Sequence, residues 1–218
     1  MMTYNDSFRH KGLRARLVSE LSEKGIRDKR VLDAIGMVPR HLFIDSGFIN
    51  FAYQDKAFPI GAGQTISQPY TVAMQSQLLE LQAGEKVLEV GTGSGYQAAV
   101  LVAMGAKVFS IERQKELYER SLKLLPALGF QLRQFLGDGY KGLPTYGPFD
   151  KIIVTAGAPF VPTDLLAQLK VGGIIVIPVG EKQQIMTRIN RLTENDFEKR
   201  EFGACAFVPM LTGVEKNK

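Results

Sequence analysis

The sequence has no tryptophan, one cysteine and two histidines in 218 residues. A single cysteine, Cys205, excludes an internal disulfide. The N-terminal stretch "MMTYNDSFRHKGLRARL" has no apolar signal core, so a reducing cytoplasm is the expected location. The most apolar run, "VGGIIVIPVG", is too short to span a bilayer and is interrupted by glycine and proline, so no membrane association is expected. Cys205 falls in "GACAFVP", which reads as a buried strand and makes it a core residue rather than a nucleophile. His10 and His41 stand far apart in the chain. No cysteine or carboxylate falls near them at a metal-ligand spacing, so no metal site is expected.

A hydrophobic content of 45% with 22% charged residues fits one good-sized domain over residues 1–218, without disorder away from the ends. The net charge of +5 permits nucleic-acid binding but requires basic residues clustered on one face. Much of the excess comes from Arg9, Lys11, Arg14 and Arg16. They share a segment with Leu13, Leu17 and Leu21 at helical spacing, which reads as a solvated helix face above an inward apolar stripe. No nucleic-acid partner is expected.

Residues 8–24 and 28–36 read as two short helices, with Asp28 available to cap the second. "MVPRHLFI" breaks the pattern at Pro39. From residue 86 short apolar runs alternate with helical segments: "KVLEV", a helix over 95–104, "KVFSI", a helix over 114–128, "QLRQF", "DKIIVTA", a helix over 162–170, then "GIIVIPV". Such alternation predicts an α/β fold with a doubly wound, mostly parallel sheet covered on both faces. "QIMTRINRL" and "EFGACAFV", joined by the polar "TENDFEK", read as a C-terminal antiparallel hairpin. The expected organisation is a helical and substrate-loop segment over 1–80, an α/β core over 86–180 and C-terminal strands over 181–213.

The first candidate site is "EVGTGSGY" at 89–96. Gly91, Gly93 and Gly95, with Thr92 between the first two, allow a tight turn and close approach of a ligand at a strand's carboxyl end. Glu112 closes the next strand about 20 residues on, where an acidic side chain can accept from ribose hydroxyls. The spacing is G-x-G-x-G rather than the G-x-G-x-x-G of dinucleotide sites. Glu89 stands just before it, and a carboxylate there disfavours a pyrophosphate but favours a cationic ligand. S-adenosylmethionine, with its sulfonium and ammonium, suits the site better. Asp138 and Gly139, in "LGDGY" past the third strand, lie where a carboxylate can accept from an adenine amino group; turn chemistry explains Asp138 equally well.

The second candidate site is "GQTISQPY" at 63–70. Ser67 precedes Pro69, where a helix starts. The serine reads either as that helix's cap or as a group that binds an anion beside the helix N-terminus, and both readings stand on the sequence.

The E-x-G-x-G-x-G pattern resembles the first motif of the class I methyltransferases. "PIGAGQTISQPYTVA", "VLDAIGMVPRHLFI" and the ending "FVPMLTG" together resemble the protein-L-isoaspartate (D-aspartate) O-methyltransferases, over about residues 10–213. That resemblance implies a Rossmann-like methyltransferase fold. It also implies transfer of a methyl group from S-adenosylmethionine to the free α-carboxylate of isoaspartyl residues in damaged proteins and peptides, leaving S-adenosylhomocysteine. The ester then closes to a succinimide, part of which reopens as normal aspartate. By the same resemblance Ser67 orients the substrate carboxylate. Gln64, Thr65 and Ile66 flank the cofactor and that carboxylate, and Val208 and Thr212 close over the site. "FVPMLTG" carries one residue more than the family's common F-V-P-L-T form.

Three other readings have their own signatures. A class I methyltransferase acting on RNA usually carries an Asn/Asp-Pro-Pro-aromatic motif or a cysteine after the fourth strand, where this chain has "TAGAPFVP". The glycine spacing disfavours a nicotinamide-dependent oxidoreductase. A non-catalytic adenosine-binding module would bind the cofactor without turnover.

Overall fold

Leu17 and Leu21, then Val31, Ala34 and Ile35, recur at three- and four-residue spacing and so share single helix faces. All five are buried. The computed structural model describes residues 5–215. Helix α1 spans Phe8–Glu23 and α2 spans Lys29–Met37. Ser7 caps α1 by accepting from the His10 N–H, and Asp28 caps α2 by accepting from the Arg30 N–H. Extended Val38, held there by Pro39, ends α2. Two 3₁₀ turns follow at Arg40–Phe43 and Ser46–Phe51. A small antiparallel pair, β1 (Phe58–Gly61) and β2 (Gln64–Ile66), leads into α3 (Pro69–Leu78).

Two readings of the N-terminal segment are corrected. Arg14 is not on the solvated face: it is buried, donating to the Gly36 carbonyl at 2.7 Å, the Tyr53 hydroxyl at 3.1 Å and both carboxylate oxygens of Asp6. The two histidines, distant in sequence, stack with ring centres 3.8 Å apart, and ligand-capable atoms of Asp6, His10 and His41 lie within 4.8 Å of one another. Asp6 and His41 already serve a hydrogen-bond network, whereas His10 Nδ1 is buried without a partner among the described residues. His41 Nε2 meets the Asn5 carbonyl at 3.0 Å, which can only accept, so Nε2 carries the proton and Nδ1 accepts from the Tyr53 hydroxyl at 2.8 Å. The network fastens residues 5–14 to the first 3₁₀ turn.

The remaining elements are β3 (Lys86–Val90), α4 (Tyr96–Ala103), β4 (Lys107–Glu112), α5 (Lys115–Ala127), β5 (Arg133–Leu136), β6 (Phe149–Val154), α6 (Thr163–Ala167), β7 (Leu169–Val179), β8 (Gln184–Arg191) and β9 (Phe197–Cys205). One seven-stranded sheet runs in the order β5-β4-β3-β6-β7-β8-β9. Its first five strands pair parallel and the last two join antiparallel. This is the expected doubly wound α/β sheet with a C-terminal hairpin. Period-two alternation divides each central strand: Val87 faces one core with α1–α5, and Leu88 and Val90 face another with α6. The chain runs outward from β3 through β4 to β5, then returns to place β6 on the other side of β3. The strand order therefore reverses between β3 and β6, and ligands in such sheets sit outside the carboxyl ends at that point.

Three boundaries depart from the sequence reading. The helix expected over 162–170 is only Thr163–Ala167, because β7 begins at Leu169 and takes up the backbone through an irregular pairing with β6. Phe197–Lys199, read as turn, belong to β9. The β9 strand lies at the sheet edge with most of its residues exposed, so Cys205 is half-buried at the end of an exposed strand rather than a core residue. Among the described residues no helix is long and apolar enough to cross a membrane.

Candidate active site

The glycine loop leaves β3 at Val90 and turns under the end of β6. Gly91 has φ of +98°, and a Cβ there would lie 2.4 Å from Thr155 Oγ1. Only glycine fits both constraints. Thr155, the residue after β6, donates from its hydroxyl to the Gly91 carbonyl at 2.6 Å and so ties the two strand ends together. The Gly93 N–H donates to Glu112 Oε2 at 2.8 Å, and Glu112 Oε1 accepts from the Gln114 N–H at 2.8 Å. Glu112, almost fully buried at the end of β4, therefore holds the loop in shape as well as facing the ligand space.

A crevice opens over these strand ends, where ligands of such sheets sit. Gly91, Thr92, Gly93, Glu112 and Gly139 line it from the sheet side, and Gln64, Thr65, Ile66 and Ser67 line it from β2 and the turn after it. Val208 lines it from the C-terminal segment. Apolar walls from Val90, Ile111 and Met210 beside one carboxylate and a ring of main-chain groups suit a nucleoside with a charged tail, so the residues present fit S-adenosylmethionine. The sequence reading missed Thr155, Ile111 and Met210. Thr155 carried a signal: it directly follows the strand "KIIV", at the sheet edge where such ligands lie.

Three expected cofactor contacts do not line the crevice. Glu89 is fully buried behind the loop, on the Val87 side of the sheet. Ser110 Oγ donates to its Oε2, Thr92 Oγ1 lies 2.5 Å from Ser110 Oγ, and Glu89 Oε1 is buried without a partner among the described residues. Burial pushes the Glu89 carboxyl up to about 8, so at neutral pH the protonated form dominates. The reading of a carboxylate that helps hold a cationic ligand is corrected: Glu89 reaches the crevice only through Ser110 and Thr92. Asp138 accepts from the Tyr140 N–H at 2.9 Å and the Gly213 N–H at 2.8 Å, so it tethers the C-terminal segment while its neighbour Gly139 lines the crevice. Thr212 is exposed, and Leu211 lines the crevice instead.

That C-terminal segment is pinned across the end of β6. Gly157 donates to the Val208 carbonyl at 2.8 Å, Met210 donates back to the Gly157 carbonyl at 2.7 Å, and Gln184 exchanges two hydrogen bonds with the Phe207 main chain. A second chamber opens on its far side, between the start of α3 and the Ala204–Val208 stretch. Thr65, Ser67, Thr155 and Val208 line both chambers. The α3 cap is Gln68, which makes no side-chain capping bond, so the capping reading of Ser67 is corrected. Partly exposed, the Ser67 hydroxyl stands at the junction of the two chambers.

The model of the protein-L-isoaspartate(D-aspartate) O-methyltransferase family matches residues 13–215. The chain belongs to that family. It is 63% identical over 207 residues to the protein-L-isoaspartate O-methyltransferase of Christiangramia forsetii, covering 94% of this chain and 97% of the relative. The enzyme of the same name from Flavobacterium johnsoniae is 61% identical with the same coverage. A solved protein-L-isoaspartate O-methyltransferase superposes with a TM-score of 0.84 at 28% identity, over 92% of this chain and 67% of that chain. A beta-aspartate methyltransferase structure from Plasmodium falciparum, in complex with S-adenosyl-L-homocysteine, gives 0.79 at 26% identity over 91% and 98%.

Proposed function

We infer that the joined chambers carry out methyl transfer to the free α-carboxylate of L-isoaspartyl residues in damaged proteins and peptides. The chain is an S-adenosylmethionine-dependent repair methyltransferase. One observation carries the assignment of chambers to ligands: Ser67 lines both of them, beside the glycine loop on one side and an open cleft on the other.

When bound, S-adenosylmethionine supplies a methyl group on a positively charged sulfur and leaves as S-adenosylhomocysteine. Gly91, Thr92 and Gly93 would cradle it through main-chain groups, Glu112 would accept from its ribose, and Gly139 would flank its base. Gln64, Thr65 and Ile66 would close the cofactor side. An α-carboxyl group ionises near pH 3.3–3.7, so the substrate nucleophile needs no general base at neutral pH. The task left to the protein is alignment and exclusion of water. Ser67 suits the first, because a hydroxyl donates one orienting hydrogen bond without neutralising the carboxylate. Ile66 and Val208 suit the second, as apolar walls on either side of it.

By this division residues 1–80 bring the substrate loop, 86–180 hold the cofactor and 181–213 close the site, within one domain. A reducing cytoplasm suits an enzyme with a single, half-buried thiol. Incubation with methyl-labelled cofactor and either an isoaspartyl peptide or RNA tests the reading. Label should enter the peptide and escape as volatile methanol when the ester closes to succinimide. Stable label in RNA with none in the peptide contradicts it.

A further inference from the structure

Arg40 lines neither chamber, yet it is the largest fully buried side chain among the described residues. A guanidinium is costly to remove from water, and this one meets no carboxylate among the described residues. Its Nε donates to the Ala52 carbonyl at 2.9 Å and its Nη2 to the Lys56 carbonyl at 3.2 Å. Its Cζ lies 4.9 Å from the centre of the Tyr96 ring, a cation–π distance. Nη1 is buried with no hydrogen-bond partner among the described residues. Burial draws the group down to about 10, which still leaves it charged at neutral pH.

Each contact leads to one of the two ligand loops. Tyr96 is the first residue of α4, directly after Gly95, and it lines the cofactor crevice. The strap Ala52–Lys56 runs into Ala57, which lines the second chamber, and then into β1, the partner of β2. Within the strap, Asp55 Oδ1 accepts from the Tyr70 N–H at 2.8 Å in the first turn of α3, just past Ser67. Lys24 pairs with the other Asp55 oxygen at 2.6 Å and fixes the strap from outside.

We propose that Arg40 is a positioning residue that holds the strap 52–56, and through it Ser67, at a set spacing from the glycine loop. A well-packed apolar side chain of similar volume fills such a space without a buried charge. A planar fork is what can hold two carbonyls and an aromatic face at once. The two ligand halves of the site come from different parts of the chain, and Arg40 touches Tyr96 of one and the strap that leads into the other. The proposal rests on the methyl-transfer reading, and the wild-type rate on isoaspartyl peptide tests that reading separately.

The test compares wild type with Arg40→Met and Arg40→Lys. Steady-state methyl transfer to an isoaspartyl peptide is measured with S-adenosylhomocysteine affinity and thermal melting on the same preparations. A misalignment of the order of an ångström costs up to about 100-fold in rate, so kcat should fall at least tenfold in Arg40→Met. Affinity for S-adenosylhomocysteine should change less than threefold, because the glycine loop keeps Glu112 and Thr155. Arg40→Lys keeps charge and burial but not the fork, so its kcat should also stay at least tenfold below wild type. If Arg40→Met gives no cooperative melt, Arg40→Lys carries the test alone, with the same tenfold loss expected. A folded variant of either kind with kcat within twofold of wild type overturns the proposal.

Discussion

The Gly93 N–H donates to Glu112 Oε2 at 2.8 Å, so the acidic side chain expected to bind the ribose also shapes the loop that cradles the cofactor. Glu112→Gln should therefore weaken cofactor binding on two counts. Loss of a charge-assisted hydrogen bond is worth about 1.5–3 kcal/mol, or roughly 10- to 150-fold in affinity. Calorimetry with S-adenosylhomocysteine measures it. Unchanged affinity would remove Glu112 from the ribose role.

Ser67→Ala should separate turnover from stability. The α3 cap is Gln68, so removal of the Ser67 hydroxyl should shift stability by less than about 0.5 kcal/mol, as for a surface change away from any cap or network. Turnover on isoaspartyl peptide should fall about tenfold or more, the loss of one hydrogen bond to a charged group. Melts and rates on one preparation decide it. A loss of about 1 kcal/mol in stability with full turnover would return Ser67 to a capping role.

Glu89 sets a pH dependence of folding. Its folded-state pKa, about 8, is raised by burial above the ordinary 4.5. Between those values the native state keeps a proton that the unfolded chain releases. The contribution is full below about pH 4.5 and is lost as pH rises to about 8. Glu89→Gln removes the titration. The variant's melting temperature relative to wild type should rise steadily from pH 5 to pH 8. Parallel melting curves across that range would show that Glu89 titrates normally.

Much of the core was legible in the sequence because short apolar runs with a glycine turn allow few structures. β3, α4 and β4 fall where "KVLEVGTGSGYQAAVLVAMGAKVFSIE" indicated, and the parallel pairing of the central strands follows from that alternation. Contacts that close across the chain were not legible. The His10–His41 stack and the buried Arg14 depend on a 3₁₀ turn that no periodicity announces. Glu89 shares the strand's alternation with Val87, which aims it away from the crevice even though its position beside the glycines suggested contact. Cys205 misled for a different reason: apolar residues at the end of an edge strand look the same in sequence as core residues. Ser67 was ambiguous until the absence of any side-chain cap at Gln68 removed one reading.

An already ionised carboxylate needs only geometry that brings it into line, without a general base. An isoaspartyl residue carries its carboxylate on the α-carbon, whereas a normal aspartyl residue carries it one methylene farther out. The direct measurement is the initial rate of methyl transfer to a peptide pair differing only in that isomer, at saturating cofactor, from pH 6 to 8. The isoaspartyl peptide should be methylated at a rate flat across that range, since its carboxyl ionises near pH 3.3–3.7. The aspartyl peptide should show almost no transfer. Equal methylation of the two isomers, or a rate climbing about tenfold per pH unit as a missing base would require, contradicts the account.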